Sequence, residues 1–455
     1  MTKILETLNQ FVWGVPTLLL ILGIGIYLTV RTGFAQLRLF PNAIRLFLRR
    51  FNTRESDYDG TSSYRALCTA LAATVGIGNL AGVAGAIAIG GPGAVFWMWI
   101  CAVLGMIIKY AEATLCVFYR TRNGRGELSG GPMYMIQKGL PPSYQWLAAA
   151  YCFLGVVAAF GVGNATQINT VINSVNGVLS SYGVFSSNAL NLCMGIVLAV
   201  LIGWILLGGA DHIGRIAERL VPFASVLYLL LGFGVLLTRS AQVPEAFRSI
   251  IQGAFSPAAV TGGVVGSAFS TLRIGASRGV FTNEAGMGTA GIAHGAAQVS
   301  HSSEQGLMGI IEVFLDTIVI CTMTALVILC SGIPIPYGED IGITLTVRAF
   351  SSVYGHWISI PLCMAICCFA IATILGWGLY GTRCAEFLFG EKAWKPFAVL
   401  QVLTVILGAV LKTGIVWTMA ELVNGLMAIP NLIALAVLSP QLMILTKKYM
   451  KQSGN

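Results

Sequence analysis

Apolar runs long enough to cross a hydrocarbon layer, roughly 20 residues each, recur along the whole of this 455-residue chain. The chain is 56% hydrophobic and only 10% charged, where an ordinary soluble domain carries about a quarter charged residues. Lipid offers no partner to backbone N–H and C=O groups, so such runs must be helices or strands of a closed barrel. No period-two alternation marks barrel strands, and the expected class is an all-α membrane protein. Hydropathy and the charged or Pro/Gly-rich breaks place about eleven spans, near 12–30, 64–90, 94–119, 146–178, 188–209, 213–238, 258–284, 305–331, 357–385, 395–412 and 429–447. The first run follows Lys3 and has no convincing small-residue cleavage site, so it reads as a retained helix and not a signal peptide.

Lys and Arg are kept in short cytoplasmic loops. Segment 31–65 holds Arg31, Arg38, Arg45, Arg49, Arg50, Arg54 and Arg65, and segment 120–145 holds Arg120, Arg122, Arg125 and Lys138. With eleven spans these fall on one side, together with Arg383, Lys392, Lys395 and the tail Lys447, Lys448 and Lys451; Lys3, Arg239, Arg248, Arg348 and Lys412 fall on the other. The expected topology is N-terminus outside and C-terminus inside a prokaryotic cytoplasmic membrane. The formal charge of +9 is then a topology signal. It does not point to nucleic acid, because the basic residues are scattered and lack interleaved aromatics.

Nearly all eleven cysteines lie in apolar spans without a CxxC, and the four histidines show no metal-binding spacing. No nucleophile and base sit at catalytic spacing, so an enzyme is not expected. No obligate protein partner or organic cofactor is evident.

Positions 74–85 read TVGIGNLAGVAG, four glycines and one asparagine inside a hydrophobic stretch. Gly76 to Ala81 formally fit a dinucleotide fingerprint, but the required strand and downstream acidic residue are missing. Gly78 and Gly82 also have the small-xxx-small spacing of close helix packing. The sharper reading is a helix broken at mid-membrane, whose freed amides suit a carboxylate and whose freed carbonyls suit a cation. Transporters of this kind are often inverted repeats. Five spans further on, 258–284 contains Gly275 and Gly279 amid Ser270, Thr271 and Ser277, where the second break is expected. The chain then divides into an N-terminal helix and basic segment (1–62), a first five-helix repeat (63–240), and a second, inverted repeat with the C-terminal tail (241–455).

Ionisable residues at membrane depth pair up or line a pathway. Lys109 and Glu112, at i, i+3, suit a pair on one helix face, and Glu312 and Asp316, at i, i+4, share another. Gln167, Thr373 and Trp377 lie deep in otherwise apolar spans, where they can touch a ligand or join helices.

The segments ALAATVGIGNLAGVAGAIAIGGPGAVFWMW, SGGPMYMIQKGL, SRGVFTNEAGMGTAGIAH, EVFLDTIVICTMTALVIL and MAIPNLIAL resemble those of the alanine or glycine:cation symporter family over essentially the full length. The opening motif is also similar to the first broken helix of the leucine transporter fold. This resemblance implies a sodium-coupled carrier of a small neutral amino acid, with alanine, glycine, serine and glutamine as candidates and a proton as the alternative ion. It implies a substrate carboxylate at the amides of Gly76, Ile77 and Gly78, with Thr74, Asn79 and Gln167 completing the polar contacts. The ammonium would meet freed carbonyls near Ile274, and Thr373 and Trp377 would flank the side chain. It further implies sodium at the carbonyls of Ala72, Val75 and Phe369 and the hydroxyl of Thr373. Two positions depart from the family pattern: Ala372 precedes Thr373 where two hydroxyl residues are common, and Ile77 stands where Thr is frequent. A channel is the remaining rival, because carbonyl-lined pores also use broken backbone.

Overall fold

A computed structural model describes residues 2–52, 61–339, 341–411 and 414–452; the expected loop residues Arg54 and Lys412 lie outside them. Two N-terminal helices, α1 (Thr2–Val12) and α2 (Val15–Arg31), precede the main bundle, and Pro16 sits in the first turn of α2, where a missing N–H costs nothing. Helix α3 (Ser63–Thr74) begins at Ser62, whose hydroxyl accepts the Arg65 N–H at 3.1 Å. After a π-helical turn, Gly78–Gly82, the chain continues as α4 (Val83–Gly90), and the two pieces are bent by 52°. Gly91, at φ 74°, ends α4 in a backbone region other side chains avoid.

The long α5 (Ala94–Phe118) follows, then a short antiparallel hairpin of β1 (Thr121–Arg122) and β2 (Leu128–Ser129). Helices α6 (Trp146–Phe160) and α7 (Thr166–Ser181) are joined by a second π turn, Gly161–Ala165. Helices α8 (Asn188–Leu207) and α9 (Gly209–Thr238) complete the first half.

In the second half come α10 (Ala268–Asn283) and α11 (Thr289–Gly295). Then α12 (Ser302–Val313) runs through a π segment, Phe314–Cys321, into α13 (Thr322–Cys330). The 31-residue α14 (Ser359–Phe389), α15 (Trp394–Val410), α16 (Gly414–Val437) and α17 (Ser439–Gln452) finish the chain.

Among the described residues seven helices are long and apolar enough to span a membrane, or nine if each of two bent pairs counts as one span. The other two expected spans, 12–30 and 258–284, appear as α2 and α10, with 17 and 16 residues. Helix α5 is central, since 67% of its apolar stretch is buried; α8 and α9, at 33% and 28%, are peripheral and turn Val197, Trp204 and Leu230 outward. Lipid tails are as apolar as the side chains, so close van der Waals contact between small residues holds such bundles together.

Three sequence expectations need correction. The second break does not fall at Gly275 and Gly279, since α10 runs unbroken through both. These glycines serve packing instead: a Cβ on Gly275 would lie 2.2 Å from the Ala94 carbonyl oxygen of α5. The chain breaks later, between Asn283 and Thr289. The last span is not 429–447, because α16 and α17 meet at Leu438 with a 63° bend inside that window. Lys109 and Glu112 do not pair, because each finds a better partner on another helix, as described below.

Candidate functional site

The first break is built by its own sequence. Val75 is extended (φ −75°, ψ 102°) after the last turn of α3, and Asn79 closes a reciprocal turn on Gly76. The Gly76 N–H donates to Asn79 Oδ1 at 2.8 Å, and the Asn79 N–H donates to the Gly76 carbonyl at 3.2 Å. Among the described residues the Ile77 and Gly78 amides have no backbone partner. No amide four residues on closes onto the carbonyls of Ala72 to Val75. Donors and acceptors are thus set free at one point, which lipid would not tolerate.

Asn79 itself turns away from the gap. Its Nδ2 donates to Asp316 Oδ1 at 2.7 Å and to the Asp316 carbonyl at 3.1 Å, while Asp316 Oδ2 accepts the Thr317 hydroxyl at 2.8 Å. Two π turns, Gly78–Gly82 and Phe314–Cys321, are fastened together by this contact. Such turns are rare and tend to mark functional sites.

The gap opens on a cavity of about 290 Å3 lined by Thr74, Gly76, Ile77, Gly78, Gln167, Thr373 and Trp377, all named from the sequence. Asn79 and Ile274 are not brought into it. Asn79 is held behind the break, and Ile274 lines a separate cavity of about 340 Å3 with Trp13 and Arg273. Ile274 lies inside continuous α10, so it sits well before the real second break.

Helix α14 presses directly on the first break. A Cβ on Gly376 would lie 3.0 Å from the Ala73 nitrogen, and one on Gly76 would lie 2.8 Å from Thr373 Oγ1. The Thr373 hydroxyl donates to the Phe369 carbonyl at 3.0 Å, so its lone pairs remain to accept a donor or a cation. Ala72, Val75 and Phe369 are all buried around this contact.

Gln167 is oriented by the π turn before it. Its Nε2 donates to the Val162 carbonyl at 3.0 Å, leaving a buried Oε1 without a partner. A carbonyl can only accept, so the amide cannot be reversed, and an acceptor is what Gln167 offers. In the same turn a Cβ on Gly163 would come within 2.3 Å of Trp377, so only glycine seats that ring.

At the second break Gly286 and Gly288 have φ of 97° and 77°, and Glu284 is left-handed at 53°, a strain of about 1–3 kcal/mol for a non-glycine residue. The freed amides are not left open. Glu112 Oε1 accepts the Gly286 N–H at 2.9 Å, the Gly288 N–H at 3.1 Å and Asn431 Nδ2 at 2.7 Å. Lys109 instead donates to Glu312 Oε1 at 2.8 Å, and His294 Nε2 meets the other oxygen of Glu312 at 2.9 Å, all fully buried.

Between the two cavities stand Arg278, Phe281 and Glu421, which line both. Arg278 and Glu421 approach to 3.9 Å. Glu421 also accepts Asn9 Nδ2 at 2.9 Å through its side chain and Trp13 Nε1 at 2.7 Å through its carbonyl, so the N-terminal helices brace the partition.

With this geometry in place, comparison with known proteins is decisive, because the signature of the sodium:alanine symporter family is matched over residues 1–455. The chain belongs to that family. It is similar to the sodium/alanine symporter AgcS of Methanococcus maripaludis, at 42% identity over 98% of this chain and 97% of the relative. It is also similar to the probable sodium/glutamine symporter GlnT of Bacillus subtilis, at 36% over 99% and 92%. The solved structure of MhsT in complex with L-phenylalanine shares the fold, with a TM-score of 0.55 at 14% identity over 84% of this chain and 97% of that one. As a member of the family this chain is a multi-pass membrane transporter, and its relatives carry the names of transporters and not of enzymes.

In this member of the sodium:alanine symporter family, sequence reasoning missed Glu284, Phe281 and Asn424, which also line the cavity. Asn283-Glu284-Ala285-Gly286-Met287-Gly288 carried the signal. Two glycines alternate there behind an Asn-Glu pair, a pattern that suits a left-handed turn better than the spaced glycines of α10 do.

Proposed function

We propose that this chain imports a small neutral amino acid, alanine or glycine, together with sodium by alternating access. The observation that carries the reading is the first break: unbonded amides and unbonded carbonyls side by side, opening on a cavity of about 290 Å3. That volume lies at the lower edge of the ~300–1,000 Å3 usual for small-ligand sites. The substrate carboxylate lies against the Ile77 and Gly78 amides beside Thr74. Gly76 contributes space and no N–H, since Asn79 already holds that N–H. The ammonium meets acceptors, and Gln167 Oε1 is one of them.

Sodium is coordinated by the carbonyls of Ala72, Val75 and Phe369 and by Thr373 Oγ1, where α14 presses on the break. Ion and substrate thereby stabilise the same contact between α3 and α14, which couples them without a covalent step. The segments 63–240 and 241–455 are the two inverted repeats, and one helix group rocks against the others to open the far side, with the N-terminus outside and the C-terminus in the cytoplasm. One charge moved through 100 mV is worth about 2.3 kcal/mol, before any sodium gradient is counted.

The test is uptake of radiolabelled alanine into proteoliposomes. Saturable uptake that follows an inward sodium gradient, with competition by glycine stronger than by glutamine, is the expected result. Conductance that needs no gradient would favour a channel, and uptake driven equally well by protons in sodium-free buffer would replace the ion.

A further inference from the structure

Glu284 is the one acidic side chain that the second break itself supplies, and none of the roles above uses it. It lines the same cavity as Ile77, Gly78 and Trp377, yet is only 4% exposed. One carboxylate oxygen, Oε2, accepts the Thr289 hydroxyl at 2.6 Å, which fixes the group against α11. The Trp377 indole, whose Nε1 has no hydrogen-bond partner among the described residues, is the carboxylate's neighbour on the cavity side, and the Thr289 bond occupies Oε2 alone.

The charges around the cavity make that carboxylate informative. Among the described residues three formally charged side chains line the cavity, Arg278, Glu284 and Glu421. Arg278 and Glu421 face each other at 3.9 Å across the partition, so they offset one another. Lys109 is committed to Glu312 at 2.8 Å. The Glu284 charge is therefore unbalanced within the lining, and a buried carboxylate in that condition is costly until a cationic donor reaches it. Glu284 adopts a left-handed backbone in spite of its strain, a conformation that clusters at ligand clamps and active sites.

We propose that the Glu284 carboxylate is the acceptor for the substrate's ammonium group, an inference that rests on reading this cavity as the amino acid site. The two ends of a zwitterion then meet the two breaks: the carboxylate at Ile77 and Gly78, the ammonium at Glu284, with Gln167 Oε1 as a second, uncharged acceptor. Recognition of the amine becomes a charge-assisted hydrogen bond, about twice as strong as a neutral one. A zwitterion adds no net charge, so the lining keeps one negative charge in excess until sodium enters with it. The same carboxylate that selects the amine thus gives the cation an electrostatic reason to follow.

The experiment is a competition series on purified protein, read by displacement of radiolabelled alanine in sodium buffer without a gradient. Alaninamide keeps the ammonium and lacks the carboxylate; lactate keeps the carboxylate and lacks the ammonium. In the unaltered protein lactate should need concentrations roughly tenfold or more above those at which unlabelled alanine displaces the label, the range expected for one hydrogen bond to a charged group, while alaninamide reports the loss of the Ile77 and Gly78 contacts separately. In E284Q, whose amide oxygen can still accept the Thr289 hydroxyl, alanine should weaken roughly tenfold or more while lactate is unchanged or improved. A merely structural role would weaken both alike.

Lactate competing as well as alanine itself in the unaltered protein would overturn the assignment, and that arm does not depend on any variant folding. Equal alanine affinity in E284Q would overturn it too. Failure of sodium-driven uptake in vesicles would instead strike the transport reading, because the competition is measured without a gradient.

Discussion

The two breaks solve one problem in opposite ways. Each frees backbone amides within the apolar bundle, and each must find those amides a partner. At the second break the protein supplies one, since Glu112 reaches across from α5 and its Oε1 accepts the Gly286 and Gly288 N–H groups. At the first break the Gly76 and Asn79 N–H groups satisfy each other's residues, while Ile77 and Gly78, whose amides have no backbone partner among the described residues, line the cavity. A carboxylate from the protein's own chain occupies one gap, and the other is where we propose that the substrate's carboxylate lies. Glu112 is thus a built-in record of the chemistry that suits a broken helix here.

The largest effect that would test this contrast comes from filling the open gap. Gly76→Leu should abolish alanine uptake while the protein still inserts and elutes as a single species on size exclusion, because even a Cβ would lie 2.8 Å from Thr373 Oγ1. Normal uptake by that variant would remove the first break from the site altogether.

Emptying the filled gap is expected to cost stability first. Glu112→Ala leaves the Gly286, Gly288 and Asn431 donors without their acceptor, and at about 1 kcal/mol each the loss is about 3 kcal/mol. A lower unfolding temperature in detergent is the measurement, with Glu112→Gln intermediate because it keeps one acceptor oxygen. An unchanged melting temperature for the alanine variant would mean that the second gap does not need its carboxylate.

A smaller effect separates a break from a packing contact. Gly275→Ala should destabilise by about 1–3 kcal/mol through crowding against the Ala94 carbonyl, with the half-saturating alanine concentration unaltered. A change in alanine affinity without loss of stability would return Gly275 to the binding site. The smallest expected effect belongs to Thr373→Ala, which should raise the half-saturating sodium concentration roughly tenfold, about 1.4 kcal/mol, and leave thermal stability nearly intact. Sodium titration of uptake would read it, and an unmoved curve would drop Thr373 as an ion ligand.

Much of the first break was legible in the sequence because its cause is local. Gly76, Gly78 and Asn79 interrupt a membrane-length apolar run, and residue order alone says where the helix must yield. What Asn79 does with its side chain was not legible, since its partner Asp316 is 237 residues away. The second break was misplaced for the same reason. Gly275 and Gly279 look like helix breakers until α5 is packed against them, whereas the real break uses a left-handed Glu284 stabilised from other helices. Lys109 and Glu112 likewise suit each other by spacing, and only the three-dimensional arrangement sends one to Glu312 and the other to Gly286 and Gly288. Hydropathy ran through the bend at Leu438 because apolar runs lie on either side, Leu432–Leu438 and Leu442–Leu445, although Ser439-Pro440-Gln441 marks the interruption.

Helix α14 carries Thr373 and Trp377 at the cavity and, about two to four turns further along, Arg383 and Glu386. Those two are gripped from below by the hairpin: Arg383 donates to Glu127 at 2.8 Å, and Arg125 donates to Glu386 at 2.5 Å. Ten residues of unbroken helix, about 15 Å, separate the grip from the threonine hydroxyl. The unbroken helix therefore makes one rigid piece of the hairpin's ion pairs and the contact at the first break.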